Sequence, residues 1–206
     1  MYARSTTIMG NPEAIDDGIA QVRNEAMPEV QQIQGCVGLS MLVDRTTGLS
    51  ITTSAWESVE AMHASGDQVT PVRERVAQLM GGSPRVEEWE IVHLHRDHRS
   101  ADGACVRVTW AQVAWTDVDR LIDVYKLTAL PALEELPGFC SASLFVDRAT
   151  GRSVSSVTFD SVDAMRRGSE AQTEIRARTI QETHAELLDV QEFELALAHL
   201  RVPELV

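Results

Sequence analysis

Val37, Leu39, Met41 and Val43 alternate with small or polar residues, the two-residue period of a half-buried strand. Upstream the period changes. Ile15, Ile19, Val22, Met27, Val30 and Ile33 recur at helical spacing, behind Asn11 and Pro12, which suit the cap and first residue of a helix. Pro28 has no N–H to donate and predicts a kink or restart in the last turns. Before this helix, Tyr2–Met9 is rich in β-branched and small residues and stops at Gly10-Asn11-Pro12, so it reads as a strand. After the alternating strand, Asp44-Arg45-Thr46-Thr47-Gly48 gives a turn with glycine where positive φ is needed, and Leu49–Trp56 returns as the second arm of a hairpin. Val59, Met62, Val69, Val72, Val76, Leu79 and Met80 then mark a short helix and a longer one, parted near Gly66 and Pro71. Val86–His95 is the last strand, and the order is βαββαβ.

The chain writes this order twice. Gly35–Met62 aligns without a gap on Gly138–Met165, an offset of 103, with Val43-Asp44-Arg45 on Val146-Asp147-Arg148, Gly48 on Gly151 and Ala61-Met62 on Ala164-Met165. The same offset pairs Arg4 with Arg107 and Pro28 with Pro131; downstream one extra residue pairs Trp89 with Phe193, His93 with Leu197 and His95 with His199. The second copy therefore predicts strand 105–113, helix 117–136, hairpin 139–159, helix 160–187 and strand 189–200. Repeat 1 spans 1–96, a polar linker 97–103 follows, and repeat 2 spans 104–206. A single βαββαβ unit covers one sheet face with helices and leaves the other bare, so a second copy is its natural cover. The predicted fold class is α+β: two ferredoxin-like units in tandem, forming an intramolecular pseudo-dimeric α+β barrel.

Composition narrows the partners. With 44% hydrophobic and 24% charged residues the chain is of the globular class rather than the disordered or fibrous one. A net charge of −13 opposes binding to nucleic acid or to an anionic membrane, which leaves a small-molecule ligand and further homo-oligomerisation as the expected associations. No apolar run approaches the roughly 20 residues of a membrane span, and MYARSTTIMG lacks the apolar core of a signal peptide, so a cytoplasmic location is expected. Cys36, Cys105 and Cys140 form no CxxC pair, which gives neither a disulfide framework nor a structural zinc site; no metal and no cofactor are expected.

The junction Ala55-Trp56-Glu57-Ser58-Val59-Glu60-Ala61-Met62 recurs as Thr158-Phe159-Asp160-Ser161-Val162-Asp163-Ala164-Met165, each behind a helix-ending glycine, Gly35 or Gly138. It resembles the aromatic–acidic–Ser–x–acidic–Ala–hydrophobic signature of the dimeric α+β barrel superfamily, antibiotic biosynthesis monooxygenase type. The resemblance covers nearly the whole chain, twice, through motifs that are structural. It implies a cofactor-independent oxygenase acting on a small aromatic substrate; the alternative is a non-catalytic small-molecule-binding or assembly protein with side-chain-filled pockets. The haem-degrading branch of the family pattern wants asparagine in the first strand, then tryptophan and histidine in the second helix. Those helix positions hold Ser65 and Arg75 in one copy and Gly168 and Arg178 in the other, and neither first strand has asparagine, so haem degradation is disfavoured.

Candidate chemistry lies where the copies disagree. His93 and His95 point to one face of a strand, where an imidazole can serve as a general base near neutral pH or bind a metal, although a wet strand end explains them as well. His93 corresponds to Leu197, a titratable group against packing, and is the catalytic candidate: it would take a proton from an electron-rich aromatic whose carbanion then reduces oxygen. Trp110 corresponds to Thr7 and is a candidate, with His95, for lining an aromatic pocket. Trp56 and Trp89 correspond to Phe159 and Phe193 and read as core. Arg4 and Arg107 either anchor an anionic substrate or pair with Glu88, Glu90, Glu192 or Glu194. No glycine-rich phosphate loop, nucleophile elbow or dinucleotide fingerprint is present.

Overall fold

The computed structural model describes residues 1–200. The first copy comprises β1 (Tyr2–Met9), α1 (Ile15–Gln21), α2 (Met27–Gln31), β2 (Cys36–Asp44), β3 (Leu49–Trp56), α3 (Val59–Ala64), α4 (Gly66–Met80) and β4 (Pro84–Arg96). The second repeats it as β5 (Cys105–Gln112), α5 (Val118–Val124), α6 (Leu130–Glu134), β6 (Phe139–Asp147), β7 (Arg152–Phe159), α7 (Val162–Arg167), α8 (Ser169–Thr183) and β8 (Glu186–Leu200). The fold is α+β, two ferredoxin-like units in tandem.

Two compact units divide the chain: residues 1–89 with the stretch from Glu194, and residues 90–193. In unit 1, β3 lies between β1 and β2, and β2 pairs on its other edge with β8, Val43 opposite Glu194 and Leu39 opposite His199. In unit 2, β7 lies between β5 and β6, and β6 pairs with β4, Glu90 opposite Val146 and Arg96 opposite Ser141. The helices of each unit bury one stripe on their own sheet. Ile15, Val22, Met62 and Met80 pack with Met41 and Trp56 in unit 1, and Leu121, Tyr125 and Met165 with Leu144 and Phe159 in unit 2. Each such apolar side chain contributes roughly 1.5–3 kcal/mol on burial. Trp56 and Trp89 are both buried, and Trp89 Nε1 donates to Ser5 Oγ.

The predicted proline effect takes a specific form. Between α1 and α2 the helix widens into a π turn over Val22–Ala26, where Met27 N–H bonds to Val22 O, and Tyr125–Ala129 does the same before Pro131. A wider turn accommodates a ring that cannot donate. Pro71, by contrast, sits inside α4 without breaking it; the break between short and long helix is at Ser65. In the second copy α8 ends at Thr183, four residues earlier than predicted, because His184 turns left-handed at φ 56°, the place Gly81 holds at φ 73°.

The junction signature builds a helix start. Ser58 and Ser161 accept the N–H of Ala61 and Ala164 at 3.1 and 3.2 Å. The signature alanine meets the helix-ending glycine: a Cβ on Gly35 would lie 2.5 Å from Ala61 Cβ, and one on Gly138 2.6 Å from Ala164 Cβ. Both glycines also have positive φ, so a side chain at either is opposed by contact and by backbone conformation.

Candidate functional site

Along β5 the strand period sends Arg107, Thr109 and Ala111 towards the helices and Val106, Val108 and Trp110 to the opposite face. Arg107 is buried. Its Nε and Nη2 donate to Glu192 Oε1, Nη1 donates to Gln172 Oε1, and Nη2 also reaches Ser169 Oγ at 3.4 Å. Gln172 Nε2 donates in turn to Met165 O at 3.0 Å. Unit 1 reaches the same end with other residues: Arg4 donates to Glu88, to Ser65 Oγ at 2.9 Å and to Met62 O at 2.7 Å. Burial raises the Glu88 carboxyl, but Arg4 and His63 outweigh it and hold it below the usual range. Both arginines thus carry a carboxylate partner. Of the other two glutamates, Glu194 pairs with Arg45 and Glu90 with Arg148, each hairpin arginine also holding Asp16 or Asp119.

Each unit has a cavity between its helices and its sheet, and the two occupy equivalent places. The unit 2 cavity has about 690 Å³ of free space, its mouth included, against about 480 Å³ in unit 1. Along the repeat, Ala111 for Ile8 and Thr183 for Met80 remove side-chain volume from unit 2. Met80 is fully buried, takes a contact from Ser50 Oγ at 3.6 Å, and fills the end of its unit. Thr183, also buried, is smaller and lines the unit 2 cavity. The unit 2 walls are mostly apolar, including Leu121, Leu133, Leu144, Val157 and Ile175. Polar groups converge on them: Tyr125 Oη donates to Ser143 O and accepts from Ser155 Oγ, both at 3.4 Å, and burial pushes the Tyr125 phenol up to about 12.

Two cations line this cavity, Arg107 and Arg176. Arg107 is neutralised by Glu192. Arg176, on α8, is half-buried; its Nη2 donates to Thr173 Oγ1 at 3.3 Å, and among the described residues no carboxylate pairs with it. Burial, and then the neighbouring Arg107, lower its affinity for its proton. The lining contains neither imidazole nor carboxylate.

The sequence-predicted residues do not assemble into one site. Arg107 lines the unit 2 cavity and Arg4 the unit 1 cavity. His93 is buried, and neither ring nitrogen has a hydrogen-bond partner. Its ring meets the Tyr125 ring edge-on at 5.9 Å, and the cavity wall is built from Tyr125 rather than from His93. Burial, then Lys126 and His95, hold its pKa below the ordinary value, so it is neutral at pH 7. A direct base role therefore lacks contact with the cavity. His95 stacks on Phe139 at 6.2 Å and faces Glu134 at 3.1 Å, outside the lining. Trp110 is on the face away from the cavity, edge-on to Phe193 at 6.4 Å, because an even-numbered position on β5 cannot share the face of Arg107.

One cluster has metal-ligating types, with donor atoms of His98, Cys140 and Asp160 within 4.8 Å of one another. His98 lies 2.8 Å from Asp97 and 2.7 Å from Asp160, and these carboxylates, Asp160 first, raise its pKa. An imidazolium between two carboxylates accounts for the contacts. The Cys140 thiol, pushed up to about 11 by burial and then by the same carboxylates, points at His98 O.

No family model matches the chain. Uncharacterized protein Rv2557 of Mycobacterium tuberculosis (strain ATCC 25618 / H37Rv) is 59% identical over 206 residues, 100% of this chain and 92% of that protein. The chain belongs to its family. Among solved structures, a candidate monooxygenase from Lactobacillus acidophilus superposes with a TM-score of 0.70 at 10% identity, covering 97% of this chain and 96% of that one. An anthrone oxidase-like protein gives 0.65 at 14% identity, covering 100% and 95%. At these identities the likeness is one of fold: the Rv2557 family has the tandem ferredoxin-like fold of monooxygenase-like proteins, along the whole chain. Among the described residues no helix is long and apolar enough to cross a membrane.

Within this member of the Rv2557 family, sequence reasoning passed over Tyr125, Gln172 and Arg176. The signal was in the repeat. Tyr125 stands opposite Val22, Gln172 opposite Val69, and the residue after Arg176 is Ala177 where the other copy has Glu74. These differences fall on helices, away from the strand positions His93 and Trp110.

Proposed function

We propose that unit 2 carries the functional site and that the protein is a cofactor-independent oxygenase acting on a small aromatic substrate. The observation that supports this most is the unit 2 cavity, with apolar walls, hydroxyls at Tyr125, Ser153 and Ser155 and the small residues Ala111 and Thr183 where unit 1 has Ile8 and Met80. The anthrone oxidase-like character of one structural neighbour agrees with an aromatic of that class.

With no imidazole or carboxylate on the wall, the substrate must be acidic enough to ionise on binding, and Arg107 and Arg176 favour its anion. The apolar walls exclude water. The anion passes an electron to dioxygen, the two radicals combine to a peroxide, and loss of water leaves a carbonyl: a ring CH2 and O2 become C=O and H2O. The second reading, ligand binding without turnover, is favoured by the same lack of a base.

Oxygen uptake with anthrone and a panel of quinols tests the proposal, comparing wild type with Ala111→Ile. Uptake that is lost on filling the cavity supports the oxygenase; binding without uptake supports the second reading; neither binding nor uptake removes both.

A further inference from the structure

The two cavities carry equivalent guanidinium pairs, Arg107 and Arg176 in unit 2 and Arg4 and Arg73 in unit 1, and differ in what surrounds them. On α8 the cavity-facing residues are Gln172, Ile175, Arg176, Thr179, Ile180 and Thr183, a polar stripe at helical spacing. On α4 the equivalent stripe is Val69, Val72, Arg73 and Val76, continuing to Ala77 and Met80. The arginine is common to both copies, yet its surroundings differ. Arg73 has Glu74 and Glu88 in its electrostatic neighbourhood. At Arg176 the first of these has become Ala177, while the second, Glu192, is engaged by Arg107 as Glu88 is by Arg4. Arg176 is thus a half-buried guanidinium without a carboxylate among the described residues, in a chain whose net charge is −13. Several exposed arginines, by contrast, are paired with carboxylates, among them Arg45, Arg75, Arg148 and Arg178.

We infer that the ligand of the unit 2 cavity is an anion, an aromatic carrying a carboxylate or a phenol or enol ionised at neutral pH, and that Arg176 is the residue that holds its charge. The inference rests on the reading of this cavity as the ligand site. A guanidinium donates two parallel N–H groups to such an acceptor, and apolar walls on either side keep the contact desolvated. The aromatic body lies against Leu133, Leu144 and Ile175, and the uncharged donors at Ser155 and Thr109 accept or donate to its remaining oxygens. The equivalent Arg73 has Glu74 beside it in the chain, a carboxylate that Arg176 lacks.

Titration calorimetry with 1-hydroxy-2-naphthoate and with its neutral methyl ester tests this on the full chain. The naphthoate is expected to bind wild type about ten- to a hundredfold more tightly than the ester, the worth of one charged hydrogen bond. Arg176→Gln is expected to remove that preference while leaving ester affinity within about twofold, and Arg73→Gln to leave both unchanged. Arg176→Lys should keep part of the preference, which separates lost charge from lost packing. Equal binding of acid and ester by wild type, or an undiminished preference in Arg176→Gln, overturns the anion assignment alone. Failure of wild type to bind either compound overturns it together with the cavity reading.

Discussion

Gln172 accepts a hydrogen bond from Arg107 and donates another to Met165 O, so that one side chain does in unit 2 what Ser65 and a second contact from Arg4 do in unit 1. Gly168 stands where Ser65 stands in the other copy, and a Cβ there would come within 3.2 Å of Gln172 Nε2. A side chain at Gly168 would press on Gln172, and each unit uses one of the two arrangements.

Gln172→Val should therefore destabilise unit 2 by roughly 2–3 kcal/mol, because a buried arginine and a carbonyl both lose partners. Adding Gly168→Ser, the residue of the other copy, should recover at least half of that loss. Urea denaturation of the two variants checks it, and additive effects of the two substitutions would contradict the shared role.

His93→Leu is expected to hold or raise stability, by up to roughly 1–3 kcal/mol, since it removes a buried imidazole with no hydrogen-bond partner and installs the residue found at Leu197. The pH dependence has a definite sign. Because the folded pKa lies below the unfolded value of about 6.5, the unfolded chain binds the proton first and stability falls as pH drops through 6.5. The variant should lack that part of the acid limb in thermal melts between pH 7 and 5.

His98 should behave oppositely. Its pKa is raised by Asp160 and then Asp97, so its stabilisation is present below 6.5 and is lost as pH rises through the folded value. Histidine titration followed by NMR should find His98 above 6.5 and His93 below it, and Asp160→Asn should bring His98 down.

Gly151→Ala and Gly81→Ala separate two costs. Both glycines have positive φ, but a Cβ at Gly151 would sit 2.1 Å from Val113 O, whereas at Gly81 it meets nothing. Gly81→Ala should cost roughly 1–2 kcal/mol, the left-handed backbone alone, and Gly151→Ala clearly more. That His184 occupies the Gly81 position in the other copy agrees with the smaller cost.

The fold was legible because its determinants are local and duplicated. The period of Val37 to Val43, the turn glycines and the Ser58 and Ser161 caps each specify their element, and the repeat at an offset of 103 doubles the signal. The Arg4 and Arg107 ion pairs were legible as a choice among four glutamates, since charge complementarity narrows partners without fixing register. The site was less so. Trp110 and His93 differ between copies as a functional residue would, yet one lies on the far face of its strand and the other behind Tyr125. A difference in identity reports that an environment changed and not which cavity a side chain reaches. Tyr125 and Arg176 needed the helices to be placed on the sheet before they could be related to Arg107 at all.

The claim that unit 2 alone holds the ligand is tested most directly by the stoichiometry of 1-hydroxy-2-naphthoate binding to wild type and to Thr183→Met, which installs the cavity-filling residue of unit 1. The expected result is one molecule per chain in wild type and at least tenfold weaker binding in the variant, with an unchanged melting temperature showing that it folds. Two molecules per chain, or undiminished binding by Thr183→Met, would contradict it.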